Sequence, residues 1–310
     1  METLFPLHDV VPQPAQAGHV TWSFSKRQLL FQCPRKFYYH YYGASSRTAH
    51  GEPNKARLRE LKPITNLYLR AGDIVDLVIR TYLSRADANS TWDLTRLQKW
   101  GLAILEKDRA FNLGVNLESS REFVPPRLLE FVASFPDRDS RYEAAEQKIL
   151  VGLKNFAESE AYAPFRKTGK ALKTQQNITV TVDGSLAKGK IDLELSEPEC
   201  HHILDWKIGS AGSADENLQV GFYGLWASKQ STIQIPIKLH MAYLADGIAR
   251  TYCVPDDVHP RQVRARITQD LILMRNLHPY GTAANARAFT PCRQNRICEM
   301  CQYQSVCSAE

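Results

Sequence analysis

The chain has 310 residues, 44% of them hydrophobic and 10% aromatic, enough for one large domain with an insertion or two modest ones built around a real core. Its net charge of +6 is compatible with a polyanionic partner but does not specify one. No apolar run approaches membrane-spanning length, and the start shows neither a basic n-region nor an apolar h-region. Seven cysteines in that setting argue against a disulfide framework, so the expected compartment is cytoplasmic, away from any membrane.

Residues 1–20 hold Pro6, Pro12 and Pro14 without periodicity and read as a loose arm. Ser23 and Ser25 are alternative caps for a helix through Lys26 to Gln32, which stops at Cys33-Pro34. Arg35 to Gly43 then interleaves basic and aromatic side chains, a mixture suited to holding phosphates and stacking unpaired bases. Rings are more often core, and Phe37 and Tyr41 are expected inside, with Arg35 and Lys36 outside. Residues 44–62 lack periodicity and read as a loop. Leu67, Ala71, Val75, Val78 and Tyr82 predict a helix over about 64–83. That helix contains Gly72-Asp73-Ile74-Val75-Asp76, where Asp76 is either a solvated carboxylate or a ligand leaning towards an acidic sheet. Residues 85–165 read as an interrupted helical insertion, with segments at Trp92 to Leu113, Arg127 to Phe135 and Tyr142 to Phe156. No catalytic spacing occurs there.

The chemistry concentrates next. Ile178 to Val182 alternates as a strand, Asp183-Gly184 signals a hairpin, and the returning strand carries Gly189-Lys190-Ile191-Asp192. Glu197-Pro198-Glu199 reverses the chain into Ile203 to Ile208, where Asp205 and Lys207 share a face because strand side chains two apart point the same way. If the reversal centres between Pro198 and Glu199, Asp192 lies directly across from Asp205, with Cβ atoms roughly 4.5–5.5 Å apart. Two neighbouring carboxylates repel unless a cation sits between them, and hard oxygen ligands suit Mg²⁺ or Mn²⁺. An ordinary charged sheet surface is the plainer alternative, since Asp-x-Lys is a common triplet.

A Gly/Ser/Ala loop leads into a helix on which Gln219, Tyr223 and Trp226 share a face. Gln219 and Tyr223 suit hydrogen bonding to a phosphodiester or to the carboxylates; an amphipathic helix with one polar residue is the alternative. Ile237 to Leu244, Asp246-Gly247 and Ile248 to Val254 form another hairpin. A basic helix with Arg261, Arg264, Arg266 and Arg275 follows, either a phosphate path or a solvated face. Cys298, Cys301 and Cys307 can converge on one inorganic centre that needs a fourth thiol. Cys33, flanked by Arg35 and Lys36, is the best candidate and Cys292 its rival; Cys200 and Cys253 read as small apolar residues. This spacing does not separate zinc from iron–sulfur.

Taken in order, these motifs resemble the PD-(D/E)XK nuclease superfamily, in particular the RecB-like branch with a 4Fe-4S cluster that includes AddB and the CRISPR-associated RecB-like exonucleases. The resemblance spans most of 21–310: the Ser23-Phe24-Ser25 … Cys33-Pro34 opening, Gly72 to Asp76, Gly189 to Asp192, Asp205-Trp206-Lys207, Gln219 to Tyr223 and the cysteine tail. It implies an α/β, restriction-endonuclease-like fold, a mixed central sheet flanked by helices, as one nuclease domain over 21–310. A Cys-ligated cluster would join its N- and C-terminal segments. It further implies that Asp192 and Asp205, with Asp76, hold the catalytic Mg²⁺ or Mn²⁺, and that Lys207 assists the attacking water. Gln219 and Tyr223 match the family's QxxxY element, and Cys33, Cys298, Cys301 and Cys307 would hold the 4Fe-4S cluster, with structural zinc as the alternative. Relatives commonly have His where this chain has Asp76. The implied activity is metal-dependent cleavage of DNA, as an exonuclease on single strands or ends in recombination, repair or CRISPR-type processing. Arg35, Lys36, Arg264 and Arg266 would supply backbone affinity, and other DNA-processing proteins are expected partners. A non-catalytic DNA-binding or scaffold subunit is the rival reading.

Overall fold

The computed structural model describes residues 20–45, 52–85, 93–115, 124–166, 172–209, 211, 216–230, 235–277 and 286–307. The expected N-terminal arm, apart from Val20, and the expected helix start at Trp92 lie outside these residues. Two short helices come first among the described residues, α1 (Phe24–Gln32) and α2 (Pro34–Tyr38). Ser23 Oγ accepts the Lys26 N–H at 3.2 Å and so caps α1, and Cys33 Sγ accepts the Lys36 N–H at 3.4 Å ahead of Pro34 in the first turn of α2. A π-helical turn, Tyr39–Gly43, continues α2. Within the stretch expected to be a loop, α3 (Lys55–Leu61) forms, because Leu58 and Leu61 lie one turn apart and bury against that aromatic segment.

Next come α4 (Leu67–Arg85), α5 (Leu94–Asn112), a short α6 (Leu129–Val132), α7 (Arg138–Glu158) and α8 (Ala163–Arg166). Only four residues of the helix expected from Arg127 are helical, because the backbone at Arg127 and Leu129 pairs with Thr65 instead. The sheet strands are β1 (Leu172–Val182), β2 (Ser185–Ser196), β3 (His201–Lys207), β4 (Ile237–Tyr243) and β5 (Ile248–Val254). The helices α9 (Glu216–Ala227) and α10 (Pro260–Leu277) flank the last two strands in sequence, and α11 (Asn295–Glu299) and α12 (Gln304–Cys307) end the described chain.

The described strands form one sheet in sequence order, antiparallel except for β3 and β4, which are parallel and joined through α9. The β1–β2 hairpin turns on Asp183 and Gly184, both left-handed (φ 47° and 75°), the conformation whose twist matches that of paired strands. Leu193 pairs with Leu204 and Glu194 with Ile203, so the reversal centres between Pro198 and Glu199, the condition under which the sequence places Asp192 across from Asp205.

Two apolar cores sandwich the sheet. One unites α1, α2, α9, α10 and the C-terminal segment; the other unites α4, α5 and α7. β2 changes allegiance along its length: Ile191 packs in the first core, whereas Leu193 and Leu195 pack in the second. Regular alternation would keep all three on one face. The switch falls at Asp192.

Candidate active site

Asp205 anchors the site. It points from β3 and is 4% exposed. Its Oδ1 accepts hydrogen bonds from Gln219 Nε2 at 2.8 Å and Tyr223 Oη at 2.6 Å, and its Oδ2 lies 2.6 Å from Lys207 Nζ. Lys207 also donates to Gln219 Oε1 at 2.8 Å, while its side chain stays 32% exposed and can reach a ligand. Gln219 and Tyr223 arrive together because they are four apart on α9, and Gln219 Nε2 also donates to Tyr223 Oη at 2.8 Å. The Tyr223 hydroxyl reaches the Lys190 carbonyl at 3.0 Å as well; having one proton, it serves this carbonyl or Asp205. Burial, then Asp205, pushes the Tyr223 phenol well above its ordinary range, so it remains a hydrogen-bond donor.

Extending the β2–β3 register one step beyond the Leu193–Leu204 pair places Asp192 opposite Asp205. Asp192 Oδ2 accepts the Trp206 N–H at 3.0 Å. Burial, then the Asp205 and Asp76 charges, pushes the Asp192 carboxyl up to about 8. Asp76 arrives from α4; burial raises it too, against the opposing pull of Arg80 and Lys190. Gln175 of β1 connects the two: its Nε2 donates to Asp76 Oδ1 at 3.1 Å and lies 3.4 Å from Asp192 Oδ1. Asp76, Asp192, Asp205, Lys207, Gln219 and Tyr223 are thus brought into one linked network.

The donor set is one of hard oxygens, which fits Mg²⁺ or Mn²⁺. Burial and the neighbouring Asp205 and Asp76 charges favour the protonated form of Asp192, and the buried Asp205 Oδ2 accepts no well-aligned hydrogen bond from the described residues, only the close Lys207 charge. The carboxylates are turned to their protein partners, and among the described residues no group of three or more His, Cys, Asp or Glu stands in ready metal-binding geometry.

A second constellation lies where the chain ends meet. Cys33, Cys292, Cys298, Cys301 and Cys307 line one cavity of about 360 Å³, together with Arg35, Lys36 and Tyr39. The N- and C-terminal segments are tied there by Arg35 Nε donating to the Phe289 carbonyl at 2.8 Å and by the Tyr39 and Tyr303 rings at 5.5 Å. All five thiols are free, and burial raises Cys33, Cys301 and Cys307 above the ordinary thiol range. Soft sulfur donors fit zinc or an iron–sulfur centre. The cavity includes both Cys298 and Cys292, one thiol more than a four-ligand set requires.

The four basic residues expected to bind a nucleic-acid backbone do not gather around the carboxylates. Arg35 and Lys36 face the thiol cavity and are half-buried, so they are not the exposed pair expected. Arg264 pairs with Asp183 at 3.0 Å beside the hairpin turn, and Arg266 lines a separate cavity with Arg27 and His259. Phe37 is buried with Tyr38 and Tyr39, while Tyr41 is only half-buried, packing against the same core from its edge with its ring 5.1 Å from that of Phe37.

Gln175 is the residue that reading the motifs missed. Gln175-Gln176-Asn177 shows no apolar alternation, so the strand seemed to begin at Ile178. Equal steps back from the Asp183–Gly184 turn place residue 175 opposite Asp192, and that count was the available signal.

A family model described as the PD-(D/E)XK nuclease superfamily matches residues 21–308. No curated protein sequence matches the chain. Among solved structures, a "Putative exonuclease" from Eubacterium rectale is similar at 15% identity and a TM-score of 0.37, covering 82% of this chain and 81% of that one. A protein given as SSO0001 is similar at 14% identity and a TM-score of 0.30, covering 67% of this chain and 96% of that one. The assignment rests on the family model and not on these two likenesses.

Proposed function

Because the chain belongs to the PD-(D/E)XK nuclease superfamily, matched over residues 21–308, we propose that it is a divalent-metal-dependent deoxyribonuclease centred on Asp76, Asp192, Asp205 and Lys207. The observation that carries this reading is the buried Asp205 carboxylate, fixed by Gln219 and Tyr223 and facing both Asp192 and the Lys207 ammonium.

Asp192, Asp205 and Asp76 would hold the ion; the chemistry supplied by a bound divalent cation is polarisation of the scissile phosphate and acidification of the attacking water. Gln219 and Tyr223 lock the Asp205 rotamer by occupying one oxygen, leaving the other for the reaction centre. Lys207 stands at that free oxygen with a partly exposed ammonium, placed to orient a water and to offset negative charge as it develops on the phosphate. Packing α4 and α9 against the sheet keeps bulk water from the buried carboxylates, which strengthens each electrostatic contact. Exonuclease action on single strands or ends follows from the family resemblance alone. The five-thiol cavity is the proposed seat of a 4Fe-4S cluster held by Cys33, Cys298, Cys301 and Cys307, with zinc as the alternative occupant.

Asp205→Asn and Lys207→Ala should each lower Mg²⁺- or Mn²⁺-dependent digestion of end-labelled DNA by about two orders of magnitude or more, with thermal unfolding nearly unchanged. Undiminished digestion by both folded variants overturns the assignment. The pattern of labelled products from single- and double-stranded substrates reports whether cleavage begins at ends.

A further inference from the structure

Gln175 has four properties that together are unusual for a strand residue. By the β1–β2 register it lies opposite Asp192, since Thr174 pairs with Leu193 and Gln176 with Ile191. Its backbone is left-handed, φ 58°, inside a strand and without being glycine. Such a conformation persists in an L-residue only where its surroundings hold it. Its Nε2 donates to Asp76 at 3.1 Å and reaches Asp192 at 3.4 Å, so one amide group spans two carboxylates delivered by different layers. Its Oε1 is buried and accepts no hydrogen bond from the described residues. A buried amide oxygen without a partner is costly, and at a working site it calls for a ligand.

We propose that Gln175 is a fourth oxygen donor of the metal site, clamping Asp76 and Asp192 through Nε2 when the ion is absent and presenting Oε1 when it is present. The inference rests on the metal-dependent reading above. Half a turn about the terminal side-chain bond exchanges the two ends of a carboxamide without changing its shape, so the same side chain serves both states. Neutrality is part of the fit. A carboxylate here would add a further negative charge to the repelling Asp192, Asp76 and Asp205, whereas an amide relieves their repulsion in one state and solvates the cation in the other. The left-handed backbone explains how the side chain gets there: it lies where β2 redirects its side chains from one core to the other.

The test is Mn²⁺ binding, followed by paramagnetic resonance of the free ion, for wild type and for Gln175→Gly, Gln175→Met and Gln175→Glu, each checked for folding by thermal melting. Gln175→Gly suits the left-handed backbone and removes the amide, so the fold should survive even if Gln175→Met fails. The glycine and methionine variants should bind Mn²⁺ about ten- to a hundredfold more weakly. Gln175→Glu restores an oxygen donor and should return affinity to the wild-type level or above, a rescue that a merely structural role would not produce. Wild type that binds Mn²⁺ together with folded glycine and methionine variants binding within about twofold of it overturns the role of Gln175 and leaves the metal site standing. Wild type that binds no Mn²⁺ overturns the metal site itself, and the role of Gln175 with it.

Discussion

At pH 7 the ion-free Asp192 carboxyl lies below its own midpoint, because burial, then Asp205 and Asp76, push it up to about 8 from an ordinary 3.8. The unfolded chain releases this proton near 3.8, while the folded protein keeps it until about 8. Between those values the folded state binds the extra proton, so stability declines as pH rises through this window and levels off above it. In chelator, the melting temperature of wild type should therefore fall more steeply from pH 5 to pH 8 than that of Asp192→Asn, as followed by circular dichroism. Added Mn²⁺ should flatten the wild-type slope, because a bound cation favours the charged carboxylate. Equal slopes for the two proteins in chelator would show that Asp192 titrates normally. The register of Asp192 and Asp205 was legible by counting from a reversal at Glu197–Glu199, and strand periodicity put Asp205 and Lys207 on one face, whereas the change of face along β2 at Asp192 was not legible. The position of Gln175 opposite Asp192 can be counted back from the Asp183–Gly184 turn, but a glutamine in a polar triplet gives no sign that its backbone is left-handed or that its amide meets two aspartates.

Among the elements, the β1–β2 hairpin and α9 do most to shape the site, and they meet at Gly189. A Cβ built there would stand 2.7 Å from the Phe222 ring, and Phe222 is buried in the first core and packed on Trp22. The ring's seat on the bare glycine brings α9 close enough for Gln219 and Tyr223 to reach Asp205. Gly189→Ala should cost about 1–3 kcal/mol in urea unfolding, as overpacking of a filled core does. Nuclease activity should fall further than stability alone explains, because any outward shift of α9 lengthens the bonds that hold Asp205. A neutral result would mean that Phe222 relaxes freely. The glycine was visible in the sequence as part of a motif next to Asp192, but the reason for it was not: Phe222 lies more than thirty positions away and touches it only in the folded protein. Elements with strong periodicity, such as α4 and β3, were legible within a few residues. The helix α3 was not, because it buries only two apolar side chains and depends on the aromatic segment it packs against.

Over the whole molecule, the thiol cavity gathers α2 and the segment 286–307, which are remote in sequence. If a cluster occupies it, Cys33→Ser should remove the brown absorbance near 400 nm and the bound iron, and lower the melting temperature, since the link between the two ends is lost. Anaerobically purified wild type that is colourless and contains zinc would instead identify the alternative occupant. The convergence, with Cys292 as a rival to Cys33, was readable from cysteine spacing, but that both thiols line the cavity was not, because spacing does not report which thiols turn inward. The sandwiching of the sheet by two cores bears on how such an enzyme is made. Asp76 belongs to the α4 layer, Gln219 and Tyr223 to the α9 layer, and Asp192 and Asp205 to the sheet between. During synthesis Asp76 leaves the ribosome first and Tyr223 well after it, and neither meets the sheet aspartates until its own layer has docked. On the proposed reading, a partly folded chain would therefore lack a complete site until both layers have docked on the sheet.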